Sequence, residues 1–226
     1  MVDNDDIKTG FASPPCYAHE LELYDNGYMG IDTQAALDVA RWRKAKREEL
    51  IAARLKFSVK DRRALAEDIT EELERIISPK AGMIISLYWP MKAEFDLRGQ
   101  MKKWVEQGVR IALPVVTVKA QPMIFREWTP DAEMEPGIWQ IPTPVNTDEV
   151  TPHVVIAPLV GFDKDCYRLG YGGGYFDRTL AALKPRPRVI GIGYPDSQLS
   201  SIFPQPYDIP MDMIVTGRGE VMSCEH

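Results

Sequence analysis

Between Arg168 and Leu180 the chain reads RLGYGGGYFDRTL, with four glycines inside five residues, an arginine on either side and a carboxylate at Asp177. Glycine tolerates positive φ and lets other groups come close to the main chain. The N–H groups of Gly170, Tyr171, Gly172, Gly173, Gly174 and Tyr175 can therefore converge on an anion. Arg168 and Arg178 are suited to bidentate contact with phosphate oxygens, and a helix opening at Tyr175 would add the partial positive charge of its first turn. Asp177 has two readings, an oxygen ligand for Mg²⁺ beside phosphates or an acidic first-turn residue favoured by the helix dipole. The stretch is not a Walker A loop, since it lacks the spacing and the lysine. It is not the dinucleotide fingerprint either, because the third glycine would fall on Tyr175. What is left is a different phosphate loop or a tight structural turn. Turn glycines come in ones and twos, so the cluster favours a ligand.

Other reactive side chains are sparse. Cys16, His19 and Glu20 lie together near the start, but zinc needs three or four ligands, so a packed turn is expected there. Cys16, Cys166 and Cys224 are odd in number and far apart and read as reduced cytosolic thiols. His153 stands just before an apolar strand and is expected to be structural. The net charge of −6 argues against broad nucleic-acid binding. Basic residues concentrate between Arg41 and Lys56, which suits a small anionic ligand as well as a solvated helix face. No apolar run reaches the length of a membrane span, and the acidic N-terminus lacks the apolar stretch of a signal peptide, so a cytoplasmic protein is expected.

These groups need a scaffold. With 226 residues, 45% of them hydrophobic and 27% charged, the chain has the make-up of one globular domain. Residues 1–30 have no periodicity and are expected to be an extension, disordered or draped on a domain that spans 31–226. Helices are predicted from Thr33 to about Lys56, with Ala36, Leu37, Ala40, Leu50 and Ala53 as apolar positions, and from a capping box at Ser58 to Ile77. Two more are predicted over Leu97–Gln107 and Tyr175–Leu183. Strands are predicted at 82–89, 109–116, 122–128, 153–160, 188–194 and 211–216. Residues 130–152 are expected to form a long irregular connection. Strands alternating with helices imply an α/β fold, an open and mostly parallel sheet flanked by helices, with the glycine loop beyond the carboxyl end of a strand.

RKAKREELIAARLKFS, SLYWPMKAEFDLRG, EPGIWQIPTP, the glycine stretch with Arg168 and Asp177, and PYDIPMDMIVT occur together and in order. From about Arg41 to Thr216 the chain resembles the 5-formyltetrahydrofolate cyclo-ligase (methenyltetrahydrofolate synthetase) family. The resemblance implies ATP- and Mg²⁺-dependent closure of 5-formyltetrahydrofolate to 5,10-methenyltetrahydrofolate, through phosphorylation of the formyl oxygen. It implies ATP contacts from Arg43, Arg47, Arg168 and Gly170 through Tyr175, with Lys44 beside Arg43 as an alternative. It implies folate contacts from Trp89, Glu94, Trp139 and Tyr175, Mg²⁺ on Asp177 and Asp212, and Tyr175 and Arg168 at the reacting groups. The expected partners are small molecules, with no nucleic acid or membrane, in a monomer or homodimer. Two other functions fit the same residues: an ATP-using enzyme for another pterin-like acid, and a nucleotide or folate binder without turnover.

Overall fold

The computed structural model describes residues 33–224. The reading of residues 1–30, with Cys16, His19 and Glu20, lies outside the described residues. The elements are α1 (Thr33–Arg54), α2 (Val59–Ile77), β1 (Ile84–Ser86), α3 (Arg98–Glu106), β2 (Arg110–Val115), β3 (Ile124–Trp128), β4 (Met134–Pro136), β5 (Pro142–Pro144), β6 (Val154–Pro158), β7 (Gly161–Asp163), β8 (Arg168–Leu169), α4 (Tyr175–Ala182), β9 (Arg188–Ile192), β10 (Gln198–Leu199), β11 (Met213–Gly217) and β12 (Glu220–Ser223).

Seven strands form the main sheet in the order β12-β11-β9-β6-β1-β2-β3. The five inner strands are parallel, and β3 and β12 close the edges antiparallel. The chain runs from β1 to β2 in one direction and from β6 to β9 in the other. The strand order therefore reverses between β1 and β6, where an α/β sheet opens a crevice beyond its carboxyl ends.

Period-2 alternation splits the buried strand residues between two cores. Ile85, Ile111, Val154, Ile156, Ile190 and Val215 face Leu65, Ile69 and Leu73 of α2 and Met101 and Trp104 of α3. Ala112, Val155, Ala157, Val189 and Ile214 face the other side, with Leu180 of α4. The four-residue spacing of Leu65, Ile69, Leu73 and Ile77 lays one apolar stripe along α2. The Ser58 side chain caps that helix by accepting from the Asp61 N–H at 3.1 Å. Ser78, in the left-handed conformation, ends it.

Three expectations change. The apolar positions proposed for α1 do not form its buried face: Leu37 is exposed, and the residues buried on this helix are Arg43 and Arg54. The connection at 130–152 contains a hairpin, β4 against β5, with a helical turn over Ile138–Gln140 at its tip. Pro136, Pro142 and Pro144 masked it, since proline is tolerated only in edge strands such as these. Finally, Cys166 and Cys224 are not free thiols but a disulfide, 58 residues apart in sequence.

His153 is placed as expected, its Nδ1 accepting from the Ile84 N–H at 2.9 Å. No helix among the described residues is long and apolar enough to cross a membrane.

Candidate functional site

Two segments meet at the β1–β6 switch point. After β1 the chain passes Trp89 and turns through Lys92 and Ala93, both at positive φ (46° and 60°), to Glu94. Successive left-handed non-glycine residues are strained and persist only where the surroundings hold them. Here the Glu94 N–H bonds the Met91 carbonyl, and Tyr194 Oη donates to the Ala93 carbonyl at 2.7 Å. The result is a carboxylate turned inward, about nine-tenths buried, with Oε2 accepting from the Met91 N–H at 2.9 Å.

On the other side, β8 leads into the glycine loop. Gly172 (φ 93°) and Gly174 (φ 63°) adopt conformations that side chains resist. Gly174 stands at the start of α4 with no side chain capping the first turn. The loop is also crowded. A Cβ on Gly170 would lie 3.0 Å from the Arg168 guanidinium, one on Gly172 would lie 3.3 Å from that of Arg47, and one on Gly173 would lie 2.8 Å from the Tyr175 ring. The glycines thus serve to bring guanidinium groups against bare backbone. Arg47 Nε donates to the Gly170 carbonyl at 2.7 Å, and Arg178 Nη2 donates to that of Gly173 at 2.5 Å.

The two segments are joined through Tyr171. Its hydroxyl donates to Glu94 Oε1 at 2.9 Å and accepts from Arg54 Nη2 at 2.6 Å. Lys92 stands 5.4 Å from the Tyr171 ring centroid. A narrow crevice beside this junction is lined by Arg54, Tyr88, Glu94, Phe95 and Tyr194. Burial is the largest influence on the ionisable groups here. It raises Glu94 above the ordinary carboxylate range, against the opposing bonds from Met91 and Tyr171 and the charges of Arg54 and Lys92. It raises Tyr88 and Tyr171 as well, and Tyr194 to about 12.

At the far end of the loop the Trp139 ring meets that of Tyr175 edge-on, with centroids 5.3 Å apart. Trp139 is 61% exposed, so an aromatic surface is open beside the loop. Arg168, with a side chain only 5% exposed, donates to Asp177 Oδ2 at 2.8 Å. The other Asp177 oxygen accepts from the Ile209 N–H. The Arg168 Nε is buried without a hydrogen-bond partner.

Several expected residues stand elsewhere. The structure gives Arg43 a different task. Its guanidinium is bound by Asp208 and the carbonyls of Ile202 and Phe203, while Arg47, one turn on, reaches the loop. Lys44 is exposed. Trp89 packs at the margin of the core, with the Arg98 guanidinium 5.1 Å from its ring centroid. Asp212 sits at the amino ends of β9 and β11, its oxygens taken by Arg186 and the Val189 N–H, in a network apart from Asp177. Among the described residues no group of three or more acidic, histidine or cysteine side chains is arranged to hold a metal. The donor set therefore does not fit a closed protein cage for Mg²⁺. Asp177, each of whose oxygens retains acceptor capacity, fits an ion that arrives on nucleotide phosphates and keeps most of its other ligands.

Arg54 escaped the sequence reading. The signal was its place seven residues after Arg47, two turns along the same helix face.

The chain is 26% identical to the 5-formyltetrahydrofolate cyclo-ligase of Haemophilus influenzae over 184 residues, covering 77% of this chain and 97% of that one. It is similar to the solved structure of Aquifex aeolicus 5,10-methenyltetrahydrofolate synthetase, with a TM-score of 0.69, 26% identity and coverage of 81% and 93%. It is also similar to that of the Mycoplasma pneumoniae 5,10-methenyltetrahydrofolate synthetase, with a TM-score of 0.63, 26% identity and coverage of 76% and 97%. The model of the 5-formyltetrahydrofolate cyclo-ligase family matches residues 39–217. With its glycine loop and buried glutamate set at one switch point, the chain belongs to the 5-formyltetrahydrofolate cyclo-ligase family.

Proposed function

We propose that the protein closes 5-formyltetrahydrofolate to 5,10-methenyltetrahydrofolate at the expense of ATP, with ADP and phosphate released. The observation that carries this reading is the Tyr171–Glu94 hydrogen bond. It sets a loop suited to phosphates within one side chain of a buried carboxylate suited to an amino-pyrimidinone edge. A carboxylate accepts two parallel N–H donors, which is what the pterin ring offers.

The formyl group on N5 is amide-like and a poor electrophile. Transfer of the terminal phosphoryl group to the formyl oxygen breaks the bond to ADP and turns that oxygen into a leaving group. The N10 lone pair then attacks the formyl carbon, the carbon–oxygen bond to phosphate breaks, and the N10 proton is lost. No nucleophilic side chain is needed, so the protein's work is positioning and charge neutralisation. In this reading the loop N–H groups and Arg47 hold the phosphates, and Arg168 holds Asp177 in place beside them. Tyr175 and Trp139 bound the reacting end, and Glu94 orients the pterin. Mg²⁺ carried by the nucleotide would neutralise phosphate charge, with Asp177 as its protein oxygen.

Small molecules are the only partners this mechanism requires, and a monomer or homodimer would serve. A cytoplasmic location goes with the proposal, although the Cys166–Cys224 disulfide is unusual for that compartment.

The test is absorbance in the methenyl-folate band on mixing the purified protein with 5-formyltetrahydrofolate, with and without Mg·ATP. An ATP-dependent rise is expected. No rise, with ATP still bound by calorimetry, would keep the phosphate loop and sink the substrate.

A further inference from the structure

Tyr171 belongs to the glycine loop, yet its side chain leaves the loop and ends on the carboxylate of the opposite segment. Three side chains hold it there. Arg54 donates to its hydroxyl, Lys92 lies near its ring, and Arg47, two turns before Arg54 on α1, fixes the preceding carbonyl. Arg54 is 4% exposed and its Nε is buried without a hydrogen-bond partner. Burying a guanidinium with one donor unmet is costly, and among the described residues the bond to Tyr171 is the one hydrogen bond its side chain makes with the site. Resting on the function proposed above, we propose that Tyr171, held by Arg54, is a positioning residue that orients Glu94 for the folate and couples occupancy of the glycine loop to folate binding.

The geometry explains how. Met91 fixes one oxygen of Glu94 and Tyr171 fixes the other, which sets the plane of the carboxylate and leaves each oxygen a further acceptor site. A shift of the loop as phosphates settle moves the Tyr171 hydroxyl and, with it, that plane. Coupling of this kind is reciprocal, so folate also affects nucleotide affinity. The charged and titratable groups facing Glu94 are Arg54 from α1, Tyr88 and Lys92 from its own segment, Tyr171 from the loop, and Tyr194 beyond β9. The Tyr171 bond favours the ionised form, against burial. Its loss moves protonation of Glu94 to higher pH.

The test uses the full-length enzyme and Tyr171→Phe, which keeps the ring and removes the hydroxyl. KM for 5-formyltetrahydrofolate is expected to rise by about tenfold, the worth of one hydrogen bond to a charged group. KM for ATP should change by less than about threefold. The acid limb of kcat/KM for the folate should move to higher pH. In calorimetry, the wild type is expected to bind the folate with an affinity that depends on ADP, and this dependence should shrink in the variant. Arg54→Met should reproduce these changes and Arg54→Lys should restore much of the wild-type behaviour, which a merely structural role would not do. If Tyr171→Phe fails to fold, the contrast between Arg54→Met and Arg54→Lys decides. Unchanged folate KM, acid limb and ADP dependence in Tyr171→Phe would overturn the inference while leaving the enzyme assignment intact. A wild type that binds no folate would overturn both.

Discussion

Individual side chains divide the site into a folate half and a phosphate half, and substitutions should separate them. Glu94→Gln removes the charge and replaces one acceptor with a donor that faces either Met91 N–H or the Tyr171 hydroxyl. Folate KM should rise by at least tenfold while ATP affinity by calorimetry changes little; equal loss of both would make Glu94 a structural residue. Because burial raises the Glu94 pKa, the ionised form that accepts two N–H donors is lost as pH falls through a value above the ordinary glutamate range. Folate kcat/KM should therefore show an acid limb above the ordinary glutamate range, and a limb at or below it would remove Glu94 from pterin recognition. In the phosphate half, Asp177→Ala is a poor probe, since it strands the buried Arg168. Breaking one partner of a buried ion pair costs on the order of 3–5 kcal/mol. Asp177→Asn keeps the shape and an acceptor. It should lower kcat by about a hundredfold or more with a cooperative unfolding transition retained, and an unchanged rate would exclude Asp177 from the metal and phosphate chemistry.

At the level of elements, the glycine loop is set by conformation and crowding together. Gly172→Ala forces a Cβ onto φ 93° and toward the Arg47 guanidinium. A left-handed alanine costs about 1–2 kcal/mol, so ATP affinity should fall by about tenfold as the loop relaxes away from Arg47. Gly99→Ala is the contrast: it lies in α3 with nothing within 4 Å of the added atom. That change should raise stability by roughly 0.5 kcal/mol through helix propensity. Opposite signs in thermal unfolding and nucleotide calorimetry check the pair. The elements most readily foreseen were those with local signals, such as α2 between Ser58 and Ser78 and the fully apolar β6. The hairpin β4–β5 was hidden by its prolines, and the short β7, β8 and β10 carry too few residues for periodicity to register. For α1 a helix was foreseen but not its face. The buried residues are arginines held by Asp208 and Tyr171 from more than a hundred positions away, and no helical period reports that. Glu94 and the glycine loop were each legible from residue type. Their meeting through Tyr171 depends on strand order, which is a property of the whole sheet.

Across the whole molecule, the sheet edge is tied to the site by the Cys166–Cys224 bond. Cys224 follows β12, the outermost strand, and Cys166 is fully buried in the turn between β7 and β8 that delivers Arg168 to the glycine loop. The same turn is organised by the buried Asp163, whose carboxylate accepts from the N–H groups of Asp165, Tyr167 and Ile202. The Cys166 carbonyl in addition accepts from the Met211 N–H. The cross-link thus joins segments that already have their own hydrogen bonds, and its main effect falls on the unfolded chain. With the cysteines 58 positions apart in sequence, the chain-entropy model gives about 4 kcal/mol. For a protein of this size that corresponds to a fall in Tm of roughly 10 °C on reduction. Cys224→Ser should show the same lowered Tm and should no longer respond to dithiothreitol. Nucleotide affinity well below the transition should change by less than about threefold, since the turn keeps its Asp163 network. A wild-type Tm insensitive to reductant, with all three cysteines of the chain titrating as thiols in the unfolded protein before any reductant is added, would return Cys166 and Cys224 to the reduced state expected from their spacing.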